Sequence, residues 1–163
     1  MVVRPGNKRI NSLRIPSGQF EFLRSLIKKE VRFVVIGGYA LRFFGCERPT
    51  RDLDILIDNG LRNVKKLRPI VVDYLGYEPK FTLEDFLKPR QQLKIPDGLI
   101  DILTSVDSLN FDLAYEAREQ QMEDGTVIPI VSKKDLIFIK ESAATDPKRR
   151  EKELKDIEYL KRN

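Results

Sequence analysis

The chain has no histidine and a single cysteine, Cys46, in 163 residues. One thiol cannot close an internal disulfide, which suits a reducing compartment. Without imidazole, and with one thiolate at most, zinc sites and histidine-based catalytic triads are excluded. Any metal must therefore be held by oxygen ligands, which points to Mg²⁺ or Mn²⁺. Long apolar runs are also missing: no window approaches the roughly 18 residues of a membrane span, and the opening "MVVRPGNKRINSLRIPSG" contains no apolar stretch of the kind that directs secretion. A cytoplasmic protein with no membrane association is the expectation. Internal repeats and low-complexity linkers are absent as well.

What is present fits one domain. An apolar fraction of 41% supports a hydrophobic core, and at this length one core is expected rather than two. The charged fraction is 34% and the formal charge +5, a balance that favours polyanionic partners such as nucleotides or RNA.

Residues 1–15 are basic and poor in apolar side chains, and read as a loose arm. Pro16 and Ser17 then open a helix with Phe20, Leu23 and Ile27 as its face, ending near Glu30. "VRFVVIGG" has the β-branched character of a buried strand, stopped by two glycines before a short helix from Tyr39 to about Phe44. "RDLDILID" is a second strand, with Leu53, Ile55 and Ile57 on one face and Asp52 and Asp54 on the other. The spacing of Leu61, Val64, Leu67, Val71 and Leu75 predicts an amphipathic helix over 61–75, with Pro69 a candidate kink. "QQLKI" and "LIDILTSV" flank the turn residues Pro96, Asp97 and Gly98 as a hairpin, and a second hairpin is expected about Asp124 and Gly125. Ser132 and Asp135 form a capping pattern for a helix through Lys140. A last helix is expected over 148–162, with Leu154, Ile157 and Leu160 as its stripe. The fold class is α+β, a mixed sheet flanked by helices with a short C-terminal helical extension over 132–163.

Two aspartates at i and i+2 of a strand have Cα atoms roughly 6.5 Å apart and point to one side, so Asp52 and Asp54 can converge on one divalent ion or a close pair. Asp101, the lone polar residue inside "LIDIL", is the candidate third carboxylate. Gly37 and Gly38 let backbone amides at the start of a helix approach phosphate oxygens. Arg48, Thr50 and Arg51 lie on the intervening loop and could hold a triphosphate.

This order of an apolar strand, Gly-Gly, Arg-x-Thr, Asp-x-Asp and a later strand Asp resembles the nucleotidyltransferase superfamily that includes DNA polymerase beta and kanamycin nucleotidyltransferase. Within it, "GGYALRFFGCERPTRDLDILI" is most similar to the branch of AbiEii-type toxins and minimal nucleotidyltransferases. "SKKDLIFIKESAA" and "RREKELKDIEYL" extend the likeness, which runs from Gln19 to Leu160. The resemblance implies a polymerase beta-like fold. It further implies an enzyme that transfers a nucleoside monophosphate from an NTP to a hydroxyl of RNA, such as tRNA, or of protein. Asp52, Asp54 and Asp101 match metal ligands, Asp101 also deprotonating the attacking hydroxyl. Gly37 and Gly38 match the glycine motif, and Lys140 matches a lysine that contacts nucleotide phosphates. Lys152 and Asp156 also match, whereas Glu153 stands where relatives more often have Asp, and Gly38 where many have Ser. A toxin–antitoxin setting with a small antitoxin-like partner follows from the same likeness. Two other functions are compatible with the sequence: a catalytically silent relative that binds nucleotide or RNA, and an antibiotic-type adenylyltransferase. The latter usually adds a substantial substrate domain, for which little chain remains here.

Overall fold

Four consecutive apolar residues, Phe33–Ile36, form the buried strand β1, and everything in the fold is arranged about it. The computed structural model describes residues 12–96 and 99–163. Before β1 comes α1 (Ser17–Lys28). After it follow α2 (Gly37–Phe43), β2 (Leu53–Ile57), α3 (Leu61–Leu75), α4 (Leu83–Leu87), β3 (Gln92–Ile95), β4 (Ile100–Leu103) and α5 (Phe111–Glu116). The chain ends with β5 (Glu119–Glu123), β6 (Thr126–Ile130), α6 (Lys133–Ala143) and α7 (Arg150–Arg162). The strands make one six-stranded open sheet in the order β3-β4-β2-β1-β6-β5. Pairing is mixed: β1 runs parallel to β6 and β2 to β4, whereas β1–β2, β3–β4 and β5–β6 are antiparallel. The protein is thus α+β, with a mixed sheet flanked by helices. Among the described residues no helix is long and apolar enough to cross a membrane.

Both expected hairpins form, β3–β4 and β5–β6, although Asp97 and Gly98 of the first turn lie outside the described residues. The helix α3 has the expected bounds and passes through Pro69 without a break. Pro69 is exposed, so the backbone bond its ring forgoes lies on the solvent side. Asn63 anchors the helix from its buried face: its amide donates to the carbonyls of Arg32 and Asp58 at 2.9 and 2.8 Å and accepts from the Arg32 amide at 2.8 Å. Ser132 caps α6 as expected, accepting from the Asp135 amide.

Several expectations are corrected. The basic arm is not loose throughout: residues 1–11 lie outside the described residues, but Leu13 is fully buried, its amide bonds the Glu123 carboxylate and its carbonyl accepts from the Arg42 guanidinium at 2.6 Å. The buried face of α1 is Gln19, Phe22, Leu23 and Leu26 rather than Phe20, Leu23 and Ile27. It is rotated because Gln19 finds partners inside: its amide donates to the carbonyls of Arg51 and Leu99, both at 2.9 Å, and accepts from the Tyr39 hydroxyl. The glycines do not precede α2 but form its first turn. In α7 Leu154 is exposed, and the buried positions are Glu153, Asp156, Ile157 and Leu160. Two short helices, α4 and α5, were not foreseen.

Candidate active site

Parallel pairing of β2 with β4 sets Asp54 directly beside Asp101, and antiparallel pairing of β1 with β2 sets Ile36 on the other side of Asp54. The first residue after β1 therefore lands on a carboxylate. Gly37 adopts φ +65°, and a β-carbon there would sit 2.2 Å from Asp54 Oδ2. Only glycine satisfies both the backbone conformation and that contact. Gly38 is needed for a similar reason, since its β-carbon would approach the Thr50 side chain to 2.6 Å.

Burial pushes the Asp54 carboxyl up to about 7, reinforced by the charge of Asp101, a hydrogen bond shared with Asp101, and the charge of Asp52; Lys140 opposes the rise. A carboxyl raised in this way keeps its proton toward neutral pH, so Asp54 carries less charge than a free aspartate there until a cation joins it.

The pair faces a cleft of about 350 Å³. Gly37, Lys140 and Glu153 also line it, with apolar walls from Leu103, Val106, Leu136 and Ile139. Lys140 is only 5% exposed and is gripped by two carboxylates of α7, Glu153 Oε2 at 3.2 Å and Asp156 Oδ2 at 2.9 Å. Asp156 in turn takes Arg48 at 2.6 Å, and Glu153 takes Arg149 at 3.3 Å. This network joins the loop before β2 to both C-terminal helices and fixes a buried cation on the cleft wall. From the opposite flank, Lys94 of β3 reaches Asp101 Oδ1 at 3.5 Å.

The candidates named from sequence thus divide. Asp54, Asp101, Gly37 and Lys140 meet in the cleft. Asp52 lies one residue before β2 and is not among the lining residues, yet it remains close enough to act on Asp54 through its charge. Gly38 and Thr50 pack against each other outside the cleft lining, and Arg48 is engaged by Asp156. Residues that sequence reasoning left without a site role are Lys94, Glu153 and Gln19. The signal for Lys94 was its alternation with Gln92 on a strand paired to the one bearing Asp101. Nothing in an isolated helical pattern marks Glu153 as buried.

Among the described residues no set of three or more His, Cys, Asp or Glu side chains converges as a metal cage. The donor set nonetheless fits Mg²⁺ or Mn²⁺: such hard ions are commonly held through one or two carboxylates plus the oxygens of a bound phosphate and water. An ammonium already stands against Asp101, so the position attracts positive charge. Comparison with protein-family models gives no match, and comparison with curated proteins gives none.

Proposed function

We propose that this protein is a nucleotidyltransferase, transferring a nucleoside monophosphate from an NTP to a hydroxyl of RNA or protein. The observation that carries the reading is the register of Asp54 against Asp101 in the lining of the cleft, with a glycine pressed onto Asp54 and a buried lysine in the same lining. Paired acids beside a fixed cation suit a reaction in which a polyphosphate must be held, oriented and split.

Asp54 and Asp101 would hold Mg²⁺ or Mn²⁺, which when bound offsets negative charge on the triphosphate. The residues of the chain do the rest. Asp101 accepts the proton of the attacking hydroxyl as its oxygen bonds to the α-phosphorus and the bond to pyrophosphate breaks. Lys140, unable to swing because Glu153 and Asp156 hold it, presents a fixed positive charge to the phosphates. Asp52 adds charge behind Asp54, and the apolar wall of Leu103, Val106, Leu136 and Ile139 receives the less polar part of the donor.

The test is incubation of the protein with Mg²⁺ and each NTP labelled at the α-phosphate, with total tRNA, cell lysate or no acceptor, followed by gel separation. Label on one polymer from one NTP is the expected result. Label in no lane would remove the reading in favour of a silent nucleotide- or RNA-binding protein. Label on a small molecule alone would favour the antibiotic-type enzyme.

A further inference from the structure

We propose that Lys94 is the resident counter-cation of the carboxylate pair, a positioning residue that holds Asp101 until a divalent cation takes its place. The proposal rests on the cation-site reading above and concerns a residue to which that reading gives no task.

Lys94 and Asp101 are directly opposed across the antiparallel β3–β4 pair, so their side chains leave the sheet on the same face. Their charged ends lie 3.5 Å apart. Among the described residues this is the one ion pair made by either Asp54 or Asp101, for the other cations about the cleft are already committed. Lys140 is held by Glu153 and Asp156, Arg149 by Glu153, and Arg90 by Asp107.

The two partners differ in their surroundings. Asp101 is 12% exposed and Lys94 is 70% exposed. The carboxylate is therefore part of the cleft, while the ammonium comes from water on a flexible stem at the edge of the sheet. An exposed lysine gains little from such a pair and loses little by leaving it. A divalent ion carries twice the charge and would repel the ammonium on arrival, so occupation of Asp101 by the two is mutually exclusive. Lys94 therefore sets a threshold: it keeps Asp101 from standing uncompensated beside Asp54, and it lowers cation affinity by the strength of its own pair.

Manganese alone is the probe, titrated into the full chain at about pH 8 without nucleotide, with free Mn²⁺ read by electron paramagnetic resonance and folding checked by thermal unfolding. Lys94→Gln is expected to bind Mn²⁺ about two- to five-fold more tightly than the parent, the factor that an exposed ion pair is worth. Lys94→Arg, which keeps the charge, should return toward the parent affinity. Lys65→Gln removes an exposed charge from α3 and should leave affinity unchanged, which separates a local contact from a change in net charge. Equal or weaker binding by Lys94→Gln, or an equal gain from Lys65→Gln, overturns the proposal. Failure of the parent and every variant to bind millimolar Mn²⁺, both alone and with a non-hydrolysable NTP analogue present, instead overturns the cation-site reading itself.

Discussion

Gly37 and Asp54 occupy one another's space so closely that a single added carbon on the glycine would lie 2.2 Å from the carboxylate oxygen. The end of β1 is thereby used to orient an acid on β2, and the contact can be broken without touching the acid.

Gly37→Ala should do so. The substitution forces an alanine to φ +65° and drives its methyl group into Asp54. A loss of about 1–3 kcal/mol of stability is expected from the backbone alone. Nucleotidyl transfer should fall about 10²-fold because the carboxylate is displaced. Urea denaturation and the labelling assay read the two effects separately, and an alanine variant with parental activity would contradict the assigned role of Asp54.

Asp54 makes stability depend on pH. Its carboxyl titrates near 3.8 in the unfolded chain and at about 7 in the folded one. Between those values the folded state binds more protons, so stability falls as pH rises from about 4 to about 7 and stays lost above. Without divalent cations, Asp54→Asn should therefore be more stable than the parent above about pH 7, and the advantage should vanish below about pH 4. Denaturant midpoints across that range in the presence of a chelator test this. The same variant should transfer no nucleotide.

Lys140 is the reverse case, a buried charge whose removal takes from two carboxylates the cation they share. Lys140→Met leaves Glu153 and Asp156 without their shared cation and should cost about 3–5 kcal/mol. Arg48→Ala should cost less, since Asp156 then still keeps Lys140. Combining Lys140→Met with Glu153→Gln and Asp156→Asn should recover much of the loss. Strict additivity of the substitutions would show that the groups do not act as a network.

Leu13→Ala tests whether the segment before α1 belongs to the core. Removing a fully buried leucine side chain should cost about 2–5 kcal/mol. A guanidinium denaturation midpoint that stays at the parental value would return the segment to the status of an arm.

Legibility followed the range of the interactions. The strands, both hairpins and α3 rest on local alternation, helical spacing and turn residues, and were readable directly. Asp54, Asp101 and Gly37 were picked out by residue type, spacing and resemblance, whereas the strand register that brings them to one cleft was not readable. What escaped depends on partners far along the chain. Glu153 and Asp156 are charged residues on a helix, read by pattern as its wet side, and Lys140, Arg48 and Arg149 make their burial tolerable. Gln19 rotated the face of α1 for carbonyls at Arg51 and Leu99. Leu13 looked solitary because its neighbours come from α2 and β5. The helices α4 and α5 span five and six residues, too few to show a period.

The facing wall of the cleft comes late in the chain. Asp54 and Asp101 are made well before Lys140, and the groups that immobilise Lys140 sit on α7, the last helix. A chain emerging from a ribosome can close β1, β2 and β4 around the two acids while the buried cation opposite them is still missing. A chain cut short before Glu153 keeps both acids and Lys140 but lacks the two carboxylates that fix the ammonium on the cleft wall.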